Sequence, residues 1–162
     1  DKNNQPHSRF VNFKYFFEDN LVFFSNYESH KAQNFLDNDK VCVNFWWPNI
    51  EVQVRIEGII SKCEEKFSDE HFQGRKPAKN VAALVSEQSK KIESYDLLKQ
   101  KYEAMKEKIE NGVYSHSRPD NWGGYQIKVH FFEFWEANDD RLNYRECYEK
   151  DNESWSKYFL QS

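Results

Sequence analysis

The sequence predicts an α+β fold, an antiparallel barrel or sheet with helices packed outside it. Three observations carry that prediction. Segments of period two open the chain, helical segments follow, and period-two segments close it. Ile50, Val52, Val54 and Ile56 alternate with Glu51, Gln53, Arg55 and Glu57, as in a strand with one buried face. Aromatic residues make up 17% of the chain, with 14 Phe, 9 Tyr and 5 Trp. Such rings bury large areas and can build a core where aliphatic residues are few.

The elements follow in order. Residues 9–17, RFVNFKYFF, are rich in strand formers and alternate. Asp19 and Asn20 supply a turn, and 21–26 return as the second strand of a hairpin. Residues 29–38 read as a short helix capped by Ser29. Residues 40–47, KVCVNFWW, form a third strand, Pro48 and Asn49 turn the chain, and 50–61 form a fourth. The period then changes. CEEKFSDEHFQGR and PAKNVAALVSEQS read as two short helices, the second with Pro77 at an early helical position. Residues 94–112 are an amphipathic helix ending at Gly112. Residues 113–121 are a loop, and 122–136 return to strand, with Gly123 and Gly124 marking a bend or a close backbone approach. RLNYRECYE and SWSKYFLQ close the chain as strands.

Composition limits the function. With 162 residues the chain makes about one domain, here taken as 1–162. A formal charge of -4 leaves no broad footprint for nucleic acid, so any anion site must be a local cluster of Lys and Arg. Cys42, Cys63 and Cys147 are too few and too scattered for a disulfide framework or a zinc site. No apolar run approaches the ~20 residues of a membrane helix. A reduced, cytoplasmic protein without membrane or nucleic-acid partners is expected.

Basic residues in or beside strands include Arg9, Lys14, Arg55, Lys128, Arg141 and Arg145; Lys31 and Arg75 sit at helix starts or in loops. If 141–149 is a strand, Arg141, Asn143 and Arg145 share one face, with Trp135 close across the turn. Two cations and an amide make a poor core, but Arg forks bind phosphate or carboxylate bidentately. SHK at a helix N-terminus adds backbone donors for an anion. Gln88 and Ser89 offer neutral donors. His7, His30, His71, His116 and His130 lack metal-ligand spacing, and neither a Ser-His-Asp arrangement nor a Gly-rich phosphate loop is legible. If the chain is an enzyme, its hard chemistry belongs to an organic cofactor, with no metal.

WGGY (122–125), FEFW (132–135) and RLNYR (141–145) resemble the W-G-G-F/Y, E-F-W and R-L-H-D/E-R pattern of the pyridoxine (pyridoxamine) 5'-phosphate oxidase family. SRFVNFK, SHKAQN, VQVRIEG and VSEQS support the resemblance, which covers nearly the whole chain. It implies a split β-barrel that forms a homodimer, with FMN in clefts between subunits. By this resemblance Arg9 and Lys31 hold the FMN phosphate, with Ser25 as a hydroxyl donor. Gln53, Gln88 and Ser89 bond the flavin or its ribityl chain, and Trp135 and Arg145 complete its site. Val11, Lys14, Phe24 and His30 also line the cofactor. Lys14, His71, Arg75 and Lys79 meet the phosphate of a phosphorylated vitamin B6 substrate. Arg141, the implied catalytic residue, holds the pyridine against the flavin beside Asn143. The implied reaction is hydride transfer from substrate C4' to flavin N5, followed by reoxidation by O2 to give H2O2.

The family pattern is broken at four of these positions. Asn143 stands for its histidine, His30 for an arginine, His71 for a tyrosine and Lys79 for a serine; Tyr144 also replaces an acidic residue. Asn cannot carry a proton, while Lys79 adds charge at the phosphate. A related flavin oxidase with a phenazine-pathway substrate, or a flavin protein that no longer turns over, remain the alternatives. The resemblance further implies an upstream strand and substrate-covering segment, without which the edge of 9–17 and apolar Phe10, Phe13 and Phe16 stand exposed.

Overall fold

A computed structural model describes residues 1–114 and 117–162 of the chain. It has the expected order of strands, helices, strands: β1 (Phe13–Phe17), β2 (Asn20–Asn26), α1 (His30–Asp37), β3 (Lys40–Trp47), β4 (Val52–Lys62), α2 (Glu65–Gly74), α3 (Pro77–Val85), α4 (Tyr95–Glu110), β5 (Trp122–Glu136), β6 (Tyr144–Asp151) and β7 (Ser154–Phe159). The class is α+β, and all seven strands lie in one antiparallel sheet.

Strand β5 is its axis. Along one edge it pairs with β4, from Val52↔Glu136 to Lys62↔Tyr125. Along the other, its first half pairs with β2 and its second half with β6. The sheet therefore branches, and it is open. Among the described residues β1 pairs with β2 alone, β3 with β4 alone and β7 with β6 alone, so the expected barrel is not closed by these strands. Two bulges bend it. Phe13 faces Phe23 and Tyr15 faces Val22, which leaves Lys14 as an extra residue in β1. Glu57 faces Phe131 and Gly58 faces Val129, which leaves His130 extra in β5.

The core lies on one face of the sheet, under α1. Leu21, Phe23, Val54, Ile56, Ile60, Tyr125, Ile127 and Val129 form it with Ala32 of the helix. Phe35, Phe45, Phe132, Phe134 and Trp155 pack around them, so aromatic rings do supply much of the bulk. Helix α2 lies against β5, and α4 packs on α3. Ser94 accepts from the Leu97 N–H as the N-cap of α4, and Gly112 ends that helix at φ +68°. No helix among the described residues is long and apolar enough to cross a membrane.

Four local expectations need correction. The first strand covers 13–17, not 9–17, and its turn falls on 18–19, where Glu18 has a positive φ. The alternating strand begins at Val52; Ile50 belongs to the turn after β3 and is exposed. Ser29 is the N-cap residue of α1, but its hydroxyl donates to the Asn26 carbonyl and accepts from Lys31 instead of capping a helix N–H. Strand β6 begins at Tyr144, so Arg141 and Asn143 do not share a strand face with Arg145. They lie in the preceding turn, where Arg141 has φ +64° and donates its N–H to the Asn138 carbonyl. Of the loop expected at 113–121, Ser115 and His116 lie outside the described residues.

WGGY is a packing motif in this fold. A methyl group at Gly123 would overlap the Tyr27 hydroxyl, and one at Gly124 would press on Cys63 Sγ. The Ser68 hydroxyl accepts from the Gly124 N–H at 3.0 Å, which ties α2 to β5. The expected close backbone approach is thus made by Tyr27, Cys63 and Ser68.

Candidate functional site

The candidate residues gather in three groups. The first is at the end of β2 and the start of α1. Lys31 is buried, and its Nζ donates to Ser25 Oγ at 2.8 Å and to Ser29 Oγ at 3.3 Å. Ser25 Oγ in turn donates to Gln88 Oε1 at 3.1 Å, which also accepts from the Asn26 N–H. Among the described residues no carboxylate pairs with Lys31. Burial first, and the Arg9 guanidinium second, push its ammonium below the usual lysine value. A buried cation with a second cation beside it and no counter-charge is unfavourable by itself. It becomes favourable when an anion enters, and the uncapped first turn of α1 adds N–H donors there.

The second group lies on the other face of β2. Phe24 is adjacent to Ser25 in the strand, so its ring points the opposite way. The His71 ring stacks on it with centroids 3.6 Å apart and planes 8° from parallel. Tyr15 Oη and His71 Nδ1 are 2.9 Å apart. Arg75 lies over the Trp122 ring at 4.4 Å and donates through Nη2 to the Lys79 carbonyl. Its Nη1 is buried without a partner. Burial, Arg75 and Lys14 together lower the His71 pKa to about 4, so the ring is neutral at pH 7. A pocket of about 240 Å³ opens here, lined by Tyr15, Phe67, Glu70, His71, Gly74 and Arg75. The bulge at Lys14 brings its ammonium to this side of β1. It too can receive an anion.

The third group is a row across the sheet. Gln53 of β4 faces Trp135 of β5, and Trp135 faces Arg145 of β6. The ring thus sits between an amide and a guanidinium on three adjacent strands. The row lies far from the first two groups: Ser25 pairs with Gly123, and Trp135 is twelve residues further along β5, about 40 Å of extended strand.

The remaining candidates lie apart from these groups. His30 is exposed at the start of α1, edge-on to His7 at 4.7 Å. Val11 packs against the core. Ser89 is exposed at φ +73°, next to Gln88. The Lys79 side chain is exposed, and only its carbonyl meets Arg75. Asn143 Oδ1 accepts from the Asn138 N–H at 3.2 Å, which closes the turn that carries Arg141.

Residues 1–108 match the family model described as pyridoxamine 5'-phosphate oxidase, and residues 122–162 match the pyridoxine 5'-phosphate oxidase C-terminal dimerisation region. The chain belongs to the pyridoxamine 5'-phosphate oxidase family. A pyridoxine/pyridoxamine 5'-phosphate oxidase of Colwellia psychrerythraea is 38% identical over 156 residues, 96% of this chain and 71% of its own. One of Aliarcobacter butzleri is 42% identical over 156 residues, covering 96% and 73%. Among solved structures, PhzG from Burkholderia lata, in complex with tetrahydrophenazine-1-carboxylic acid, superposes with a TM-score of 0.86 at 26% identity, over 96% of this chain and 75% of that one. A pyridoxamine 5'-phosphate oxidase-related, FMN-binding protein from Nostoc punctiforme has the same fold, with a TM-score of 0.77 at 16% identity, over 99% and 83%.

In this family member several residues of the groups have places that were not read from the sequence. Tyr15 and Phe67 wall the pocket of the second group, and Tyr15 and Trp122 are aromatic neighbours of His71. In sequence they are indistinguishable from core rings. Ser29 and Asn26 complete the polar cradle of Lys31 and Gln88. Glu133 is buried between Arg55 and Arg145, although a lone Glu in an alternating strand reads as solvent-facing. Its signal was there in outline: Arg55 and Glu133 are opposite charges whose strands pair.

Proposed function

We propose that the chain is an FMN-dependent oxidase that converts pyridoxamine or pyridoxine 5'-phosphate to pyridoxal 5'-phosphate, with O2 reduced to H2O2, and that it acts as a homodimer. The observation that carries this reading is the pair of anion sites back to back on β2. Lys31 with Ser25 lies on one face, and His71 with Arg75 lies on the other. Two phosphate monoesters, one on the cofactor and one on the substrate, match two such sites.

The residues fit FMN. A buried, uncompensated Lys31 is satisfied by the oxygens of its phosphate, as the buried, unpartnered Arg75 Nη1 is by those of the substrate. When bound, FMN supplies the two-electron redox chemistry that none of these side chains carries. In this reading Arg9, Lys31 and Ser25 hold its phosphate, with His30, Val11 and Phe24 along the cleft. Gln53, Gln88 and Ser89 bond its polar edge or ribityl chain, and Trp135 and Arg145 flank its ring. Lys14, His71, Arg75 and Lys79 take the substrate phosphate. Arg141 holds the pyridine in place, and Asn143 fixes the turn that aims it. These roles are orientation and charge placement.

The homodimer follows from distance. One ligand cannot span the length of β5 to touch both Lys31 and Trp135 of one chain. Two chains can bring the first group of one to the row of the other, and the match of 122–162 to a dimerisation region supports this. The split barrel belongs to the same proposal, with the bulges at Lys14 and His130 starting its curl. The three free thiols, Cys42, Cys63 and Cys147, suit a reducing cytoplasm.

The visible spectrum of the purified protein, read with sedimentation, tests this. Flavin absorbance on a dimer is expected. A flavin-loaded monomer would refute the shared site, and a colourless protein that takes up no added FMN would refute the cofactor. A second reading has specific support. The likeness to PhzG, solved with tetrahydrophenazine-1-carboxylic acid, favours a related flavin oxidase acting on a phenazine-type substrate.

A further inference from the structure

The row Gln53↔Trp135↔Arg145 is backed by a second one, Arg55↔Glu133↔Cys147, on the same strands. Glu133 and Trp135 are two residues apart and so share a face of β5. Glu133 is buried, with 3% of its surface exposed. Its Oε1 accepts from Arg145 Nε at 2.7 Å and lies 2.5 Å from Arg145 Nη2. Its Oε2 accepts from Arg55 Nε at 2.8 Å and lies 2.8 Å from Arg55 Nη2. Each oxygen is gripped by the side edge of one guanidinium.

We propose that Glu133 is the positioning residue for Arg145 at the flavin, holding one edge of its guanidinium so that the rest faces the cofactor, with Arg55 as the fixed opposing anchor. This rests on the FMN reading above. A donor count supports it. A guanidinium has five N–H groups. Arg145 commits its Nε–H and one Nη2–H to Glu133, and one Nη1–H to the Gln161 carbonyl. One N–H remains on each terminal nitrogen, in a plane the carboxylate has set. Arg55 does not compete for the cofactor. It lies 4.6 Å over the Phe131 ring and also pairs with Glu57.

The charge arrangement points the same way. Burial works to raise the Glu133 carboxyl, but the hydrogen bonds from Arg145 and Arg55 outweigh it and hold the group below its usual value. Glu133 therefore stays ionised and keeps the two guanidiniums apart, one on each side. Without its charge they would repel, and Arg145 has room to swing, since 28% of its side chain is exposed.

The alternative is a clasp that merely joins β4, β5 and β6. A double-mutant cycle on FMN affinity separates the two. Holoenzyme is diluted and the released FMN is read by its fluorescence, for the parent, Glu133→Gln, Arg145→Ala and the double variant. Glu133→Gln is expected to raise the dissociation constant about tenfold or more in the parent. It should add almost nothing once Arg145 is Ala, because there is no guanidinium left to aim. The same fold-change in both backgrounds, or none in either, overturns the positioning role. Should Glu133→Gln fail to fold, Glu133→Asp carries the same cycle: it keeps the charge, withdraws the grip, and is expected to weaken binding only where Arg145 is present. Parent protein that binds FMN while the cycle is additive refutes this inference alone. Parent protein that takes up no FMN refutes the reading beneath it as well.

Discussion

Lys31 Nζ stands 2.8 Å from Ser25 Oγ, buried, with the Arg9 charge acting against it and no carboxylate paired with it among the described residues. A folded protein tolerates such a group when function requires it. In the proposed reading the cofactor phosphate supplies the missing counter-charge, so stability and binding can be tested separately at this pair.

Lys31→Met keeps the stem and removes the charge. The apoprotein is expected to melt at the same temperature or a few degrees higher, because an uncompensated buried cation is gone. FMN affinity is expected to fall about ten- to a hundredfold, the size of one charge-assisted contact. Calorimetry of the apoprotein and FMN titration check the two arms. A lower melting temperature with unchanged FMN affinity would make Lys31 a structural residue.

His71 imposes a pH dependence on stability. Its folded pKa is lowered to about 4, from an ordinary value near 6.5, by burial and by Arg75 and Lys14. As pH falls below about 6.5 the unfolded chain takes up a proton that the folded ring refuses. Stability is therefore full above that pH and declines toward pH 4. Melting curves across this window are expected to show a shallower decline for His71→Phe than for the parent. Parallel curves would mean that His71 titrates normally in the fold.

Arg141 separates strain from turnover. It holds φ +64° in an exposed turn. Arg141→Gly accepts that conformation freely, so the melting temperature should hold or rise. If the side chain holds the substrate, kcat/KM for pyridoxamine 5'-phosphate should drop about ten- to a hundredfold. FMN affinity should not change. An unchanged kcat/KM would remove Arg141 from the substrate site.

Gly123 tests the packing account of WGGY. A methyl there meets the Tyr27 hydroxyl, then the ring carbon that carries it. Gly123→Ala is expected to cost about 1–3 kcal/mol. Tyr27→Phe in the same chain removes the nearest atom and should recover part of that loss in a urea melt. No recovery would mean that the glycine is needed for something other than Tyr27.

Strands β3 and β5 are legible in the sequence because bounded aromatic and β-branched runs leave little else for 40–47 and 122–136 to be. Helices α3 and α4 are marked by Pro77 at the start of one and Gly112 after the other. The turn before β6 is not legible. RLN continues a strand-like alternation, and the turn that interrupts it is made by bonds of Arg141 and Asn143 back to Asn138. The branching at β5 is equally hidden, since one strand serving β2 and β6 on the same edge is a tertiary property. Of the site, the resemblance names the cations and divides them between two phosphates, but not the faces of the sheet on which they lie. That Lys14 bulges toward His71, and that Phe24 and Ser25 look to opposite sides of β2, depends on register.

Substrate turnover tests the central claim most directly. FMN-loaded protein is mixed with pyridoxamine 5'-phosphate in air, and pyridoxal 5'-phosphate and H2O2 are measured together. The expected result is formation of both in equal amounts, lost in Arg75→Ala, whose buried Nη1 would otherwise meet the substrate phosphate. Flavin-loaded protein that forms neither product, yet oxidises a tetrahydrophenazine carboxylate, would contradict the account and assign the site to the other branch of its relatives.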